Sequence, residues 1–120
     1  MVEPQSGKYF ENIDPSKGEA FSLIPDSNSA DIDAAVGAAQ KAFPIWSGLS
    51  LEERSKYLIR LSEGIENRMD EFVEAESLDN GKPVSLARQV DIPRAISNFH
   101  FFATAILHFS SESHLMEGVG

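Results

Sequence analysis

The stretch from Asp91 to Phe109 constrains the fold of this chain more than any other. Ile92, Ala95, Ile96, Phe99, Phe102, Ala103 and Ile106 recur at helical spacing, and Phe101 adds apolar surface on a further side. A helix apolar nearly all round needs neighbours on several sides. Asp91 is expected to cap this helix, with Pro93 in its first turn, where a missing N–H costs little. With that start, Arg94, Asn98 and Phe101 fall at i, i+4 and i+7 on one face. An arginine so placed is either a solvated side chain in the first helical turn, mildly disfavoured by the helix dipole, or a ligand-binding group.

The segments before it supply some of the neighbours. Tyr9-Phe10 and Phe21-Ser22-Leu23-Ile24 read as short extended pieces. They are joined by Asp14-Pro15-Ser16-Lys17-Gly18, where proline presets one dihedral and glycine permits positive φ. From Asn28 the period changes to that of a helix. Asn28 or Ser29 caps it, Asp31 and Asp33 favour its positive end, and Ile32, Ala35, Val36, Ala39 and Phe43 form one face. Pro44 is expected to end it. Ser50-Leu51-Glu52-Glu53 is a capping box that opens a second helical stretch, whose stripe runs through Leu58, Leu61, Ile65, Met69, Phe72 and Val73. The run to Leu78 is long for one helix, so a break is expected near Glu66 to Arg68. Asn80-Gly81-Lys82-Pro83 stops it, with glycine as the left-handed residue. The expected fold class is mostly α with a short N-terminal β-hairpin: a strand pair and turns over 1–27, a helical segment over 28–110 and a loose tail over 111–120.

Composition removes several functions. The formal charge of −9, from 19 acidic against 10 basic residues, repels phosphate backbones and anionic lipid headgroups. Nucleic acid and membrane are therefore not expected as partners. No stretch approaches the roughly 20 apolar residues of a membrane span, and the N-terminus does not read as a signal sequence, so a soluble, cytoplasmic protein is expected. There is no cysteine, which excludes disulfides, thiolate–metal sites and thiol nucleophiles within the chain. Glycine-rich phosphate loops, His-Glu-x-x-His and a glycine-flanked serine elbow are also missing. His100, His108 and His114 are spaced by eight and six and do not share a helix face, so they read as surface or packing histidines. Glu63, Glu66, Glu71, Glu74 and Glu76 read as a solvated helix face.

Four pieces occur in an order that carries a resemblance. They are Asn12-Ile13-Asp14-Pro15-Ser16-Lys17-Gly18-Glu19, the helix ending Ala42-Phe43-Pro44-Ile45-Trp46, the start Leu51-Glu52-Glu53-Arg54, and Glu76-Ser77-Leu78-Asp79-Asn80-Gly81-Lys82-Pro83. In register over nearly the whole chain, they resemble the N-terminal part of an aldehyde dehydrogenase. Asp91-Ile92-Pro93-Arg94-Ala95 and Asn98-Phe99-His100-Phe101-Phe102-Ala103, followed by Leu107-His108, further resemble the branch that oxidises aminomuconic and hydroxymuconic semialdehydes.

The resemblance implies a piece of an α/β, Rossmann-like cofactor-binding domain, incomplete by itself. It also implies NAD- or NADP-linked oxidation of an aldehyde to an acid by a longer chain, assembled as a homo-oligomer. In that family a cysteine thiolate adds to the carbonyl, hydride passes to the nicotinamide and a glutamate-activated water hydrolyses the thioester. Those parts lie beyond the segment that these residues resemble, and Met1-Val2-Glu3-Pro4 matches a point within the family's first hairpin. The segment alone is expected to hold no catalytic or cofactor-binding residue, to bind no cofactor and to be inactive.

The same resemblance implies two sites. The last helix borders the family's substrate tunnel, and Arg94 matches an arginine of the muconic-semialdehyde branch, whose substrates carry a carboxylate remote from the aldehyde. A planar guanidinium grips a carboxylate bidentately. Asn98 either bonds the same ligand or orients Arg94, and Phe101 either walls the tunnel or packs in a core. Second, the backbone at Asn12 and Ile13, with the Asp79 carboxylate, matches a monovalent-cation position; Asp79 is equally placed to accept local backbone bonds. The rival to an enzyme segment is a stand-alone helical interaction module that binds another chain. A carboxylate-binding protein using Arg94 without catalysis is a third reading.

Overall fold

The computed structural model describes residues 2–110; the tail expected over 111–120, with His114, lies outside the described residues. Strand β1, Tyr9–Asp14, pairs antiparallel with β2, Glu19–Pro25. Gly18, at φ 73°, supplies the left-handed residue of the turn between them. The register moves from Asn12 opposite Ser22 to Ile13 opposite Ala20, which leaves Phe21 as the extra residue of a bulge.

Helix α1, Ser29–Ser47, starts where Asn28 accepts the Ala30 and Asp31 amides and Asp31 returns a bond to the Asn28 amide. It does not stop at Pro44, contrary to expectation. Proline lacks a donor, but its carbonyl still accepts from the Gly48 amide at 3.2 Å and the Ser47 hydroxyl at 3.4 Å, so the last turn closes on it. Helix α2, Leu51–Glu66, opens on the expected capping box, in which Ser50 and Glu53 exchange side-chain-to-backbone bonds at 3.1 and 2.9 Å. The expected break follows, and α3 runs over Met69–Asn80 to Gly81 at φ 74°. A β-carbon on Gly81 would meet Pro15 Cβ at 3.2 Å, so this glycine serves both the helix stop and the docking of the hairpin turn on the end of α3.

A short helix α4, Val84–Leu86, passes through a π turn, Ala87–Asp91, into α5, Ile92–Ala105, and a 3-10 turn, Ile106–His108. Asp91 therefore does not cap α5. Its backbone is helical, at φ −71° and ψ −51°, and its side chain makes no capping bond. The chain enters α5 already wound, so few amides there are orphaned, and the carboxylate is free to pair elsewhere.

Helix α2 packs along α5, and α3 touches β1 on one side and the π turn on the other. Ser62 ties the first pair by donating to the Ile96 carbonyl at 3.1 Å. The core is small. Val73, Ala87 and Ile92 are buried together, with Ile65, Met69 and Ile96 packed against them. No residue of α1 is buried. The Cα radius of gyration is 20.5 Å, whereas a compact chain of this length would have about 14 Å. Many apolar side chains are consequently exposed, Phe43, Ile45, Phe101 and Phe102 among them.

Candidate functional site

Arg94, Asn98 and Phe101 lie on one exposed edge of α5. The edge follows from the core on the other side. Ile92 is buried, and Arg94 is two residues, or about 200° of helix rotation, beyond it. Asn98 and Phe101 are four and seven residues further on, which returns them close to the direction of Arg94. Among the described residues, Arg94 forms no ion pair and Asn98 makes no side-chain hydrogen bond. None of the five guanidinium donors is taken by a described residue.

Phe101 has a second neighbourhood. Its ring meets Phe102 edge-on, with centroids 5.2 Å apart, and it is 60 % exposed among the described residues. It helps to line an open cleft of about 790 Å³ between α2 and α5, together with Ile59, Ser62, Glu63, Glu66, Met69 and His100. Arg94 and Asn98 do not line that cleft.

The proposed cation residues come together across the fold. Asn12 Nδ2 donates to Asp79 Oδ1 at 2.8 Å, so Asp79 takes a partner from β1 rather than from its own helix end. The β-bulge lies at the same step of β1, between Asn12 and Ile13. Among the described residues no three His, Cys, Asp or Glu side chains gather as metal ligands. A cation here would rest on one carboxylate and backbone carbonyls, hard oxygen donors that suit a monovalent ion.

One cluster was not legible in the sequence. Lys82 donates to Glu76 Oε1 at 2.8 Å and to Asp91 Oδ2 at 2.7 Å. The bond to Asp91, and then that to Glu76, hold the ammonium pKa above its ordinary value. The partners are six and nine residues away, which matches no helical spacing, so only the unlike charges themselves hinted at the pairing. Nearby, Asp14 is buried and accepts from the Ser16 hydroxyl at 2.7 Å and its amide at 2.8 Å. These bonds hold its carboxyl below the ordinary aspartate value.

Residues 1–118 match the model of the aldehyde dehydrogenase family. The chain belongs to that family. It is 47% identical over 113 residues to 2-aminomuconic semialdehyde dehydrogenase of Danio rerio, covering 94% of this chain and 23% of that protein. It is 42% identical over 117 residues to 2-hydroxymuconic semialdehyde dehydrogenase of Pseudomonas sp. (strain CF600), covering 97% of this chain and 24% of that protein. Among solved structures, PnpE in complex with nicotinamide adenine dinucleotide superposes with a TM-score of 0.85 at 35% identity, over 87% of this chain and 21% of PnpE. The chain thus spans about a quarter of the length of the relatives it matches. The expected fold class, mostly helical with a short antiparallel hairpin, holds in this aldehyde dehydrogenase segment. Among the described residues no helix is long and apolar enough to cross a membrane.

Proposed function

We propose that this chain serves as a segment of an NAD(P)-dependent aldehyde dehydrogenase that oxidises a carboxylate-bearing semialdehyde of the muconic type to the acid. Residues 28–110 are the helical segment of its cofactor-binding domain, and Arg94 receives the carboxylate remote from the aldehyde. The observation that carries this reading is the Arg94 guanidinium on the exposed edge of α5, without an ion pair among the described residues and one turn before Asn98. Asn98 adds a donor to the same ligand, and Phe101 walls the path to it. Kinship with aminomuconic and hydroxymuconic semialdehyde dehydrogenases supports a substrate of this charge. The 120 residues hold no cysteine, so the covalent step and the nicotinamide belong to other parts of a complete, cytoplasmic, homo-oligomeric enzyme. The backbone at Asn12 and Ile13, with Asp79, is proposed to take a monovalent cation.

Titration of trans,trans-muconate against the chain and against Arg94→Ala tests the central reading. Loss of a charge-assisted bidentate contact is expected to weaken binding on the order of tenfold, with Arg94→Lys between the two. Equal binding by parent and alanine variant removes Arg94 from the site.

The exposed apolar face of α1, with Ile32, Val36 and Phe43, favours a second reading, a helical module that binds another chain. Its mark is saturable binding of one specific partner by a chain that folds independently. Aggregation without a partner stoichiometry speaks against it.

A further inference from the structure

Lys82 is fixed at both ends of its side chain. Its amide donates to Asn80 Oδ1 at 3.0 Å and its carbonyl accepts from Ser77 Oγ at 2.7 Å. Its ammonium then spans from Glu76, near the end of α3, to Asp91, the last residue of the π turn. The side chains of Lys82 and Asp91 are only 25% and 27% exposed, so solvent and salt screen this pair less than one held fully in water.

The pair sits where the phase of the helix changes. The Ile92 amide donates to the Ala87 carbonyl, five residues back. In a straight α-helix, residues five apart lie about 140° apart around the axis, whereas the wide turn brings Ala87 and Ile92 onto the same Val73 core. If the turn closed to α pitch, the core position above Ala87 would pass to Asp91, four residues on. An aspartate would then face the core, and everything beyond would rotate by about 100°. Arg94, Asn98 and Phe101 would turn with it.

We infer that Lys82 is a positioning residue: by holding Asp91 outside the core it fixes the π turn, and so keeps the Arg94–Asn98 edge on the exposed side of α5, where a carboxylate can reach it. Lys82 touches no ligand itself. The inference rests on the assignment of Arg94 above.

Two readouts on the full 120-residue chain separate it from that assignment: amide hydrogen exchange at Ile92, and affinity for trans,trans-muconate. Lys82→Met and Asp91→Asn are each expected to speed Ile92 exchange and to weaken muconate binding, both on the order of tenfold. Lys82→Arg is expected to recover most of both, which a merely space-filling role would not require. If Lys82→Met fails to fold, Asp91→Asn, which keeps the side-chain shape, carries the test. Unchanged exchange and affinity in the charge-removing variants, with binding lost in Arg94→Ala, overturn the role of Lys82 and leave Arg94 standing. Muconate binding that Arg94→Ala does not alter, or that the parent chain lacks, overturns the assignment of Arg94 and with it the functional role of Lys82.

Discussion

Glycines at two positions of this chain do opposite work, and substitution by alanine separates them. Gly81 sits at φ 74°, and a β-carbon there would approach Pro15 Cβ to 3.2 Å. Gly81→Ala is therefore expected to destabilise the chain by about 1–2 kcal/mol in urea unfolding, from the left-handed backbone alone. Gly64 lies within α2, and outside its own turn of helix nothing comes within 4 Å of the position its β-carbon would take. Gly64→Ala is expected to stabilise by about 1 kcal/mol through helix propensity. Equal signs in the two melts would contradict this account. The helix stop at Asn80-Gly81 is legible in the sequence because its cause is local, a residue free to adopt positive φ. The approach of Pro15 to Gly81 is not, because sixty-odd residues of intervening chain encode it only through packing. The same holds for the proposed sites. Arg94, Asn98 and Phe101 could be placed on one edge by counting, whereas the pairing of Asn12 with Asp79 required the hairpin to dock on α3. Asp14 adds a pH dependence. Its carboxyl is held below the ordinary aspartate value by Ser16, so its contribution to stability is fully present above that ordinary value and is lost as the pH falls through the lower folded one. Ser16→Ala is expected to flatten the acid limb of a stability-versus-pH curve, and an unaltered limb would deny Asp14 this role.

The elements divide by whether their ends are set locally. The starts of α1 and α2 are, since Asn28 with Asp31 and Ser50 with Glu53 each satisfy orphan amides reciprocally within four residues. Ser50→Ala is expected to cost about 1 kcal/mol, because it removes the oxygen that accepts from the Glu53 amide, while the Ser50 amide, the first cause of the lowered Glu53 carboxyl, stays in place. Urea unfolding of both forms measures this, and equal stability would deny the Ser50 side chain a part in the start of α2. The start of α5 obeys a different rule. Asp91 and Pro93 read as a cap and a first turn, but the chain arrives there already helical, through a π turn whose reason is tertiary: it brings Ala87 and Ile92 to one core while Asp91 pairs with Lys82. The end of α1 differs for a smaller reason. Pro44 forbids only its own donation, and in a last turn that costs little when its carbonyl is used.

At the scale of the whole molecule, the excess apolar surface read from the Asp91–Phe109 stretch has its counterpart in the shape. A radius of gyration of 20.5 Å and a core built around Val73, Ala87 and Ile92 leave α1 with no buried residue. Area of this kind is stabilised only when something covers it. Trp46, the one tryptophan in the chain, reports on whether that happens. Its ring tilts against Tyr57 at a centroid distance of 5.7 Å and is 42 % exposed, at the end of the uncovered helix. In the isolated chain its fluorescence is expected to be solvent-like and open to quenching by iodide, with a hydrophobic dye bound alongside. When the part of an aldehyde dehydrogenase relative that this chain does not span is supplied as a separate polypeptide, emission is expected to shift to shorter wavelength, quenching to fall and dye to be released together, because one apolar surface governs all three. Phe43→Ser, on the same helix, should weaken that association while leaving the capping boxes of α1 and α2 intact. A tryptophan already shielded in the isolated chain, without dye binding, would instead mark this segment as a body complete in itself and favour the interaction-module reading.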